Sequence, residues 1–432
     1  MATPLRGVPA VPTPTATQVP TPRAAGDRAV PLGTVLALAF LGSLGTGIVT
    51  TGIYFLTKES FRFSRDANFG LGLLQGFTYV VGAIAAGPAV RAARRALGVS
   101  TRTVLAFILI LLGALCALPW IGGTLSPGRT WPVWVMIGLY SPITGTLWPV
   151  VEGYLSGGRS GASLRTALGA FNVTWAGAIV VGLASIGGLV ERHAVELLLG
   201  LGVLHLATLV VVACLPREPG RHPEEHHDPH PPVYFGLLTT FRVLLPTSYV
   251  VSTALGPYLP TALSNLGVSK EWHTPIASSW SAARVVVFLA LLRWHGWHGR
   301  WYPAVLAMLL LLGGFGTAIL SPVLLGGTVG VAATIAGLVM FGTGMAAVYT
   351  AALYYAMEVG KAEVDAGGTH EALIGVGYTI GPVCGLVSGG FVASAGLSGG
   401  AFEPTMVVFV AVVALVGAGV AWRKAKAAIA EA

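Results

Sequence analysis

Charge is scarce in this chain. Only 10% of its 432 residues are Asp, Glu, Lys or Arg, against about 25% in soluble domains. That scarcity excludes the soluble enzyme folds. Cysteine is rarer still: Cys116, Cys214 and Cys384 are the only three. They stand singly in separate apolar segments, which gives neither a disulfide framework nor metal-ligand spacing. No Gly-x-x-x-x-Gly-Lys-Ser/Thr loop is present to hold a nucleotide, and no His-Glu-x-x-His set is present to hold a catalytic metal. An enzyme is therefore not expected, nor a cofactor or metal, nor ATP as a driver. Residues 1–29, rich in Pro, Thr and Ala, lack the apolar run that a cleaved secretory signal needs. They read as a disordered cytoplasmic tail.

Apolar sequence fills the remainder. Hydrophobic residues make up 54% of the chain and the mean hydropathy is +0.76. Twelve long apolar segments cover 31–57, 67–90, 102–122, 131–155, 166–190, 194–215, 234–262, 273–293, 302–324, 327–356, 371–395 and 404–423. A bilayer core of about 30 Å takes about 20 apolar helical residues to cross. In lipid each backbone amide must be satisfied within its own segment, so the segments are helices rather than strands. The 59 glycines suit close helix packing. The expected class is an all-α polytopic membrane protein with twelve transmembrane helices.

The net charge of +8 resolves into a topology signal. With the N-terminus taken as cytoplasmic, seventeen Lys and Arg fall on inner loops and tails, among them Arg91, Arg94, Arg95, Arg159, Arg165, Arg217 and Lys361. Six fall outside (Lys58, Arg62, Arg65, Arg129, Arg192, Lys270), and Arg242 and Arg284 lie within segments. That bias marks cytoplasmic loops, so both termini are expected in the cytoplasm and no nucleic-acid partner is implied. Trp120, Trp131 and Trp272 fall at outer ends, and Trp294, Trp297, Trp301 and Trp422 at inner ends, as interface residues do.

The two sets of six segments share landmarks. Ser64-Arg65-Asp66 recurs as Ser269-Lys270-Glu271, and Arg165-Thr166-Ala167-Leu168 as His370-Glu371-Ala372-Leu373, each at an offset of 205. Gly52-Ile53-Tyr54 pairs with Gly256-Pro257-Tyr258, and Glu152 with Glu358. A duplicated six-helix unit explains an offset that stays within one residue of 205. The expected organisation is a tail over 1–29, six-helix bundles over 30–216 and 234–424, a cytoplasmic loop at 217–233 and a tail at 425–432.

With six plus six helices and both termini inside, the chain resembles the major facilitator superfamily over nearly all of 30–424. The family's Gly-x-x-x-Asp-Arg-x-Gly-Arg-Arg loop is matched by Gly87-Pro88-Ala89-Val90-Arg91-Ala92-Ala93-Arg94-Arg95, where Arg91 replaces the acid and Arg94 a glycine. The stretch from Glu152 through Arg165 to Gly169 resembles the family's acidic-to-Arg segment between helices four and five. The resemblance implies two pseudo-symmetric bundles, a multi-pass cytoplasmic (inner) membrane location, alternating access and a small-molecule substrate. It also implies a cytoplasmic charge network of Arg91, Arg94, Arg95, Glu152, Arg165, Glu358 and His370, with Glu152 the main carboxylate for the Arg91–Arg95 cluster. The same arginines would also serve as plain loop anchors. Beyond membrane lipid no protein partner is expected, and the chain is taken as monomeric.

The resemblance places helices one, four, seven and ten along a central cavity. There they offer Tyr54, Tyr140, Trp148, Tyr249, Tyr258 and Tyr349, besides Thr and Ser hydroxyls; Gln75, Asn172, Trp175 and Tyr378 stand on other helices. Each is either a substrate contact or a helix-packing group. Arg284 is the sharpest residue, twelfth in a 21-residue segment, where an arginine costs about 2.5–3.5 kcal/mol. Either it bonds helix-end carbonyls or it faces the cavity. The other half carries Tyr79 at the matching position, and a charge found in one half only points to a substrate, anionic or zwitterionic. Trp280, one turn earlier, is a candidate stacking partner. No acid lies mid-helix in segments one, two, seven or eight, which favours facilitated diffusion, exchange or coupling through peripheral carboxylates over a dedicated proton symporter. The His-rich tract 222–230 reads as a solvated linker. A membrane receptor or sensor, or a lipid or lysolipid flippase, would be the alternative on the same fold.

Overall fold

The computed structural model describes residues 29–126, 128–220, 231–358 and 364–431, with the side chains of 357–358 and 364–367 left aside. The N-terminal tail to residue 28, the His-rich tract and the side chain of Glu358 therefore lie outside the described residues. Among the described residues, twelve helices are long and apolar enough to cross a membrane. They are α1 Leu32–Glu59, α2 Arg65–Leu97, α3 Thr101–Leu125, α4 Trp131–Ser156, α5 Gly161–Ser185 and α6 Ala194–Ala213, then α7 Pro232–Leu255, α8 Lys270–Arg293, α9 Tyr302–Leu324, α10 Gly327–Glu358, α11 Val364–Ser394 and α12 Phe402–Glu431. The twelve expected segments each find their helix. The seventh ends earlier than expected, with a short helix Leu259–Asn265 completing it. The last runs on to Glu431, so most of the expected tail at 425–432 is helical.

Local sequence sets the ends. Ser64 caps α2 by accepting from the Ala67 amide, Asp66 sits in the first turn, and Gly98 closes the helix at φ 64°, a left-handed conformation that glycine adopts without strain. Ser100 caps α3 in the same way. Within α1, residues Ile48–Gly52 form a π-helical turn, a geometry that concentrates at functional sites.

Helices α1–α6 and α7–α12 form two bundles, joined mainly by α2 against α11 and α5 against α8. Glycine makes the first joint possible. A Cβ on Gly76 would run into the backbone of Tyr378 and Thr379, and one on Gly72 would meet Pro382 and Pro257. On the face bearing the termini, Arg159 donates to the carbonyls of Leu155 and Val30, while Arg94 pairs with Glu218 at 3.2 Å. Thr101 donates to the same Glu218 at 2.5 Å. The acid that serves Arg94 is thus Glu218 rather than the expected Glu152, because Glu152 lies a turn inside α4 and faces the centre of the molecule. Trp120, Trp131, Trp272 and Trp294 are exposed near helix ends as expected, whereas Trp422 is exposed within α12, which runs nine residues past it, and Trp297 is only 4% exposed and packs on His298 and Tyr354.

Candidate functional site

Three adjoining spaces run between the bundles. The first, about 810 Å³, is lined by Thr50, Thr51 and Tyr54 of α1, Gln75 of α2, Trp175 of α5, Tyr249, Ser252 and Thr253 of α7, Trp280 and Arg284 of α8, and Tyr378 of α11. The second, about 640 Å³, takes earlier residues of α1 and the terminal-side ends of α4 and α11, so it lies nearer the terminal face. Its walls include Ser43, Thr46, Tyr79, Trp148, Glu152, Tyr349 and Glu371. Thr50, Trp175, Ile179, Tyr249 and Tyr378 line both. A third, about 650 Å³, is lined by Arg165, Asn172, His298 and Tyr354 on the terminal side. Few polar groups on apolar and aromatic walls are the usual make-up of a small-molecule site.

Arg284 is the largest fully buried side chain, 1% exposed. Its guanidinium carbon sits 4.2 Å from the Trp175 ring centroid, 5.1 Å from Trp280, 5.7 Å from Phe288 and 5.9 Å from Tyr349. The ring faces attract the cation electrostatically. Its Nε and Nη2 have no hydrogen-bond partner. Such donors are costly to bury unpaired.

The expected site residues separate into two groups. Tyr54, Gln75, Trp148, Trp175, Tyr249, Trp280, Arg284, Tyr349 and Tyr378 come together around the first two spaces, and Asn172 joins the third. Tyr54 donates to Gln75 at 3.0 Å, and Asn172 accepts from Trp175 at 3.1 Å. Tyr140 and Tyr258 do not belong. Tyr140 is buried inside the first bundle, 2.8 Å from His205 of α6. Tyr258 is turned to the opposite end, where it donates to Glu403.

The expected charge network also divides. Arg91, Arg94 and Arg95 gather around Glu218, and Arg165 lines the third space. Glu152 leaves the network for the cavity. His370 lies edge-on to Tyr349, 5.5 Å between ring centroids. Outside the membrane-spanning segments, His298 is stacked on Tyr354 at 4.1 Å. Burial, then His295 and Arg165, push its imidazole down to about 4.

Two groups escaped the sequence reading. Glu371 is 5% exposed and accepts the Tyr79 hydroxyl at 2.5 Å from the other bundle; deep carboxylates are therefore not missing from the centre. On the face opposite the termini, Lys270 of α8 bridges the bundles, 3.0 Å from Glu59 and 2.8 Å from Glu191. Lys58 adds a contact to Thr261 at 3.4 Å. The hydrogen bond and charge of Lys270 hold the Glu191 carboxyl below the usual carboxylate range.

At the level of sequence, no protein-family model and no curated protein matches the chain. The structure does match. A mutant of the nucleoside transporter NupG is 12% identical, covering 90% of this chain and 99% of that one, at a TM-score of 0.62. A bacterial homologue of the human lysosomal transporter Spinster, inward-facing and unoccupied, is 14% identical over 91% and 96%, at 0.61. The E. coli fucose:proton symporter FucP is 12% identical over 90% and 98%, at 0.53. At such identities the likeness is one of fold, and the fold is that of the major facilitator superfamily transporters: twelve membrane helices in two six-helix bundles.

Proposed function

We propose that the protein is a transporter that moves a small organic solute by alternating access, either as a facilitator or coupled to a second gradient. Arg284 anchors the solute's acidic or strongly polar group. The observation that carries this reading is the buried guanidinium with two unpartnered nitrogens on the wall of a central space between the bundles. A protein that keeps a charge there gains from a ligand that satisfies it. Guanidinium forks suit carboxylates in particular. The Lys270 bridge at one face and the spaces extending toward the other support a state open to the terminal side. On this reading the termini are cytoplasmic, the membrane is the cytoplasmic one and the working unit is the monomer.

The test is a thermal-shift screen of purified protein against metabolite panels, followed by uptake into proteoliposomes. A ligand that binds the native state raises Tm by mass action. The expected result is a shift and saturable uptake for one solute class. Absence of both across broad panels would sink the transport reading.

A further inference from the structure

We propose that the solute is amphoteric, with an acid and an amine several bonds apart: the acid on Arg284, the amine among Ser43, Glu152 and Glu371. This deepens the transport reading and rests on it. The first space holds a buried cation whose Nε and Nη2 lack partners. No described carboxylate is in ion-pair contact with that guanidinium. The second space holds two carboxylates, Glu152 and Glu371, and a buried hydroxyl, Ser43 Oγ, that also lacks a partner. One end of the continuous site therefore asks for an anion and hydrogen-bond acceptors, the other for a cation and donors. Isolated buried charges are costly in low dielectric. A solute carrying both signs answers both ends at once.

The spacing sets the solute's length. Tyr378, which lines both spaces, follows Glu371 by seven residues on α11, a rise of about 10 Å. A solute whose amine and acid share one carbon is too short to engage both ends. One with a chain of several bonds reaches both, and the shared walls of Trp175, Tyr249 and Tyr378 cover that chain with aromatic surface.

The test uses the full-length protein in lipid nanodiscs. The probes are ω-amino acids from glycine to 6-aminohexanoate, the dipeptide Gly-Gly, singly charged hexanoate and hexylamine, and sodium chloride alone. Tm and exchange in loaded proteoliposomes are measured. The expected result is a Tm shift that grows with chain length, with hexanoate and hexylamine bound about tenfold more weakly than 6-aminohexanoate. Glu371→Gln is expected to make 6-aminohexanoate no better than hexanoate, and Arg284→Gln no better than hexylamine; Ser43→Ala, which leaves both charges in place, weakens 6-aminohexanoate severalfold. Hexanoate binding as tightly as 6-aminohexanoate overturns the proposal, as does a shift by sodium alone that Glu371→Gln abolishes, which would assign the carboxylates to an inorganic cation. No shift and no exchange across the series also overturns it. The transport reading then stands or falls separately, on the broad metabolite screen.

Discussion

An arginine without a carboxylate beside it is destabilising until something binds. Arg284 is held by ring faces and a hydrogen bond with Tyr249, which leave Nε and Nη2 without partners, and cation–π contacts return about 2 kcal/mol when desolvated. That is less than the cost of leaving donors unpaired in the interior. Arg284→Met, which keeps the length and removes the charge, is therefore expected to raise the Tm of the ligand-free protein while abolishing solute binding. A fall in ligand-free Tm would mark Arg284 as a structural residue. Arg284→Lys keeps the charge but not the bidentate fork, so binding is expected to weaken by about tenfold, and Arg284→Gln to weaken it further; both are read by isothermal titration. A second residue-scale prediction concerns His298. Its folded-state pKa, about 4, lies below the ordinary value near 6.5. The unfolded chain then binds the extra proton first, so His298's contribution to stability is complete above pH ~6.5 and is lost as pH falls toward ~4. His298→Phe, which preserves the stack on Tyr354, is expected to flatten the Tm-against-pH curve in that window.

Between elements, what decides behaviour is how closely backbones approach and what bridges them. Gly76 packs against the Tyr378 backbone, so Gly76→Val forces α2 and α11 apart; overpacking of this kind costs about 1–3 kcal/mol, measurable as a lower Tm. Lys270 and Glu191 are exposed while Glu59 is buried, so the exposed arm of the bridge is screened and biases an equilibrium rather than fixing the fold. Lys270→Ala is expected to raise, by about two- to fivefold, the rate at which an impermeant maleimide added from the opposite face labels Ser252→Cys in a background lacking the three native cysteines. An unchanged rate would show that the bridge does not hold the gate. Because the Glu191 carboxyl is depressed by Lys270, its part in the bridge is present above the ordinary carboxylate range. It is lost only as pH falls through the lowered value, so labelling at neutral pH should be insensitive to pH. These bridges were not legible in the sequence, since a loop lysine shows its charge but not which loop faces it. Glu371 was missed for a simpler reason. The apolar run starts at 371, whereas α11 begins at Val364, and those extra turns carry a residue read as peripheral into the interior.

At the scale of the whole molecule the sequence was most informative, because lipid leaves the backbone so few options. Every span must be a helix of sufficient length, so twelve apolar runs became twelve helices with ends displaced by at most about five residues, apart from α2, α7, α11 and α12. Arg284 stood out in the sequence because a midplane charge is costly without a cavity or a partner, though which of the two it finds was not legible. Sorting Trp175 and Tyr249 into the cavity and Tyr140 and Tyr258 out of it was not, because a helix rich in apolar residues all round gives no periodicity to say which face turns inward. Parity makes a further demand. An even number of crossings puts the α2–α3 loop on one side with both termini, and the α1–α2 and α3–α4 loops on the other. Arg95 stands exposed at the first loop, and Arg62 and Arg129 at the others; Arg159, buried beneath Val30, is a poor probe. Single cysteines at these three exposed positions, in the cysteine-free background, are expected to divide cleanly in intact cells. Arg62→Cys and Arg129→Cys react with impermeant maleimide added outside, and Arg95→Cys reacts only after the membrane is opened. The reverse pattern would invert the topology, and with it the assignment of the Lys270 bridge to the outer gate. A mixed pattern would contradict the twelve-span count itself.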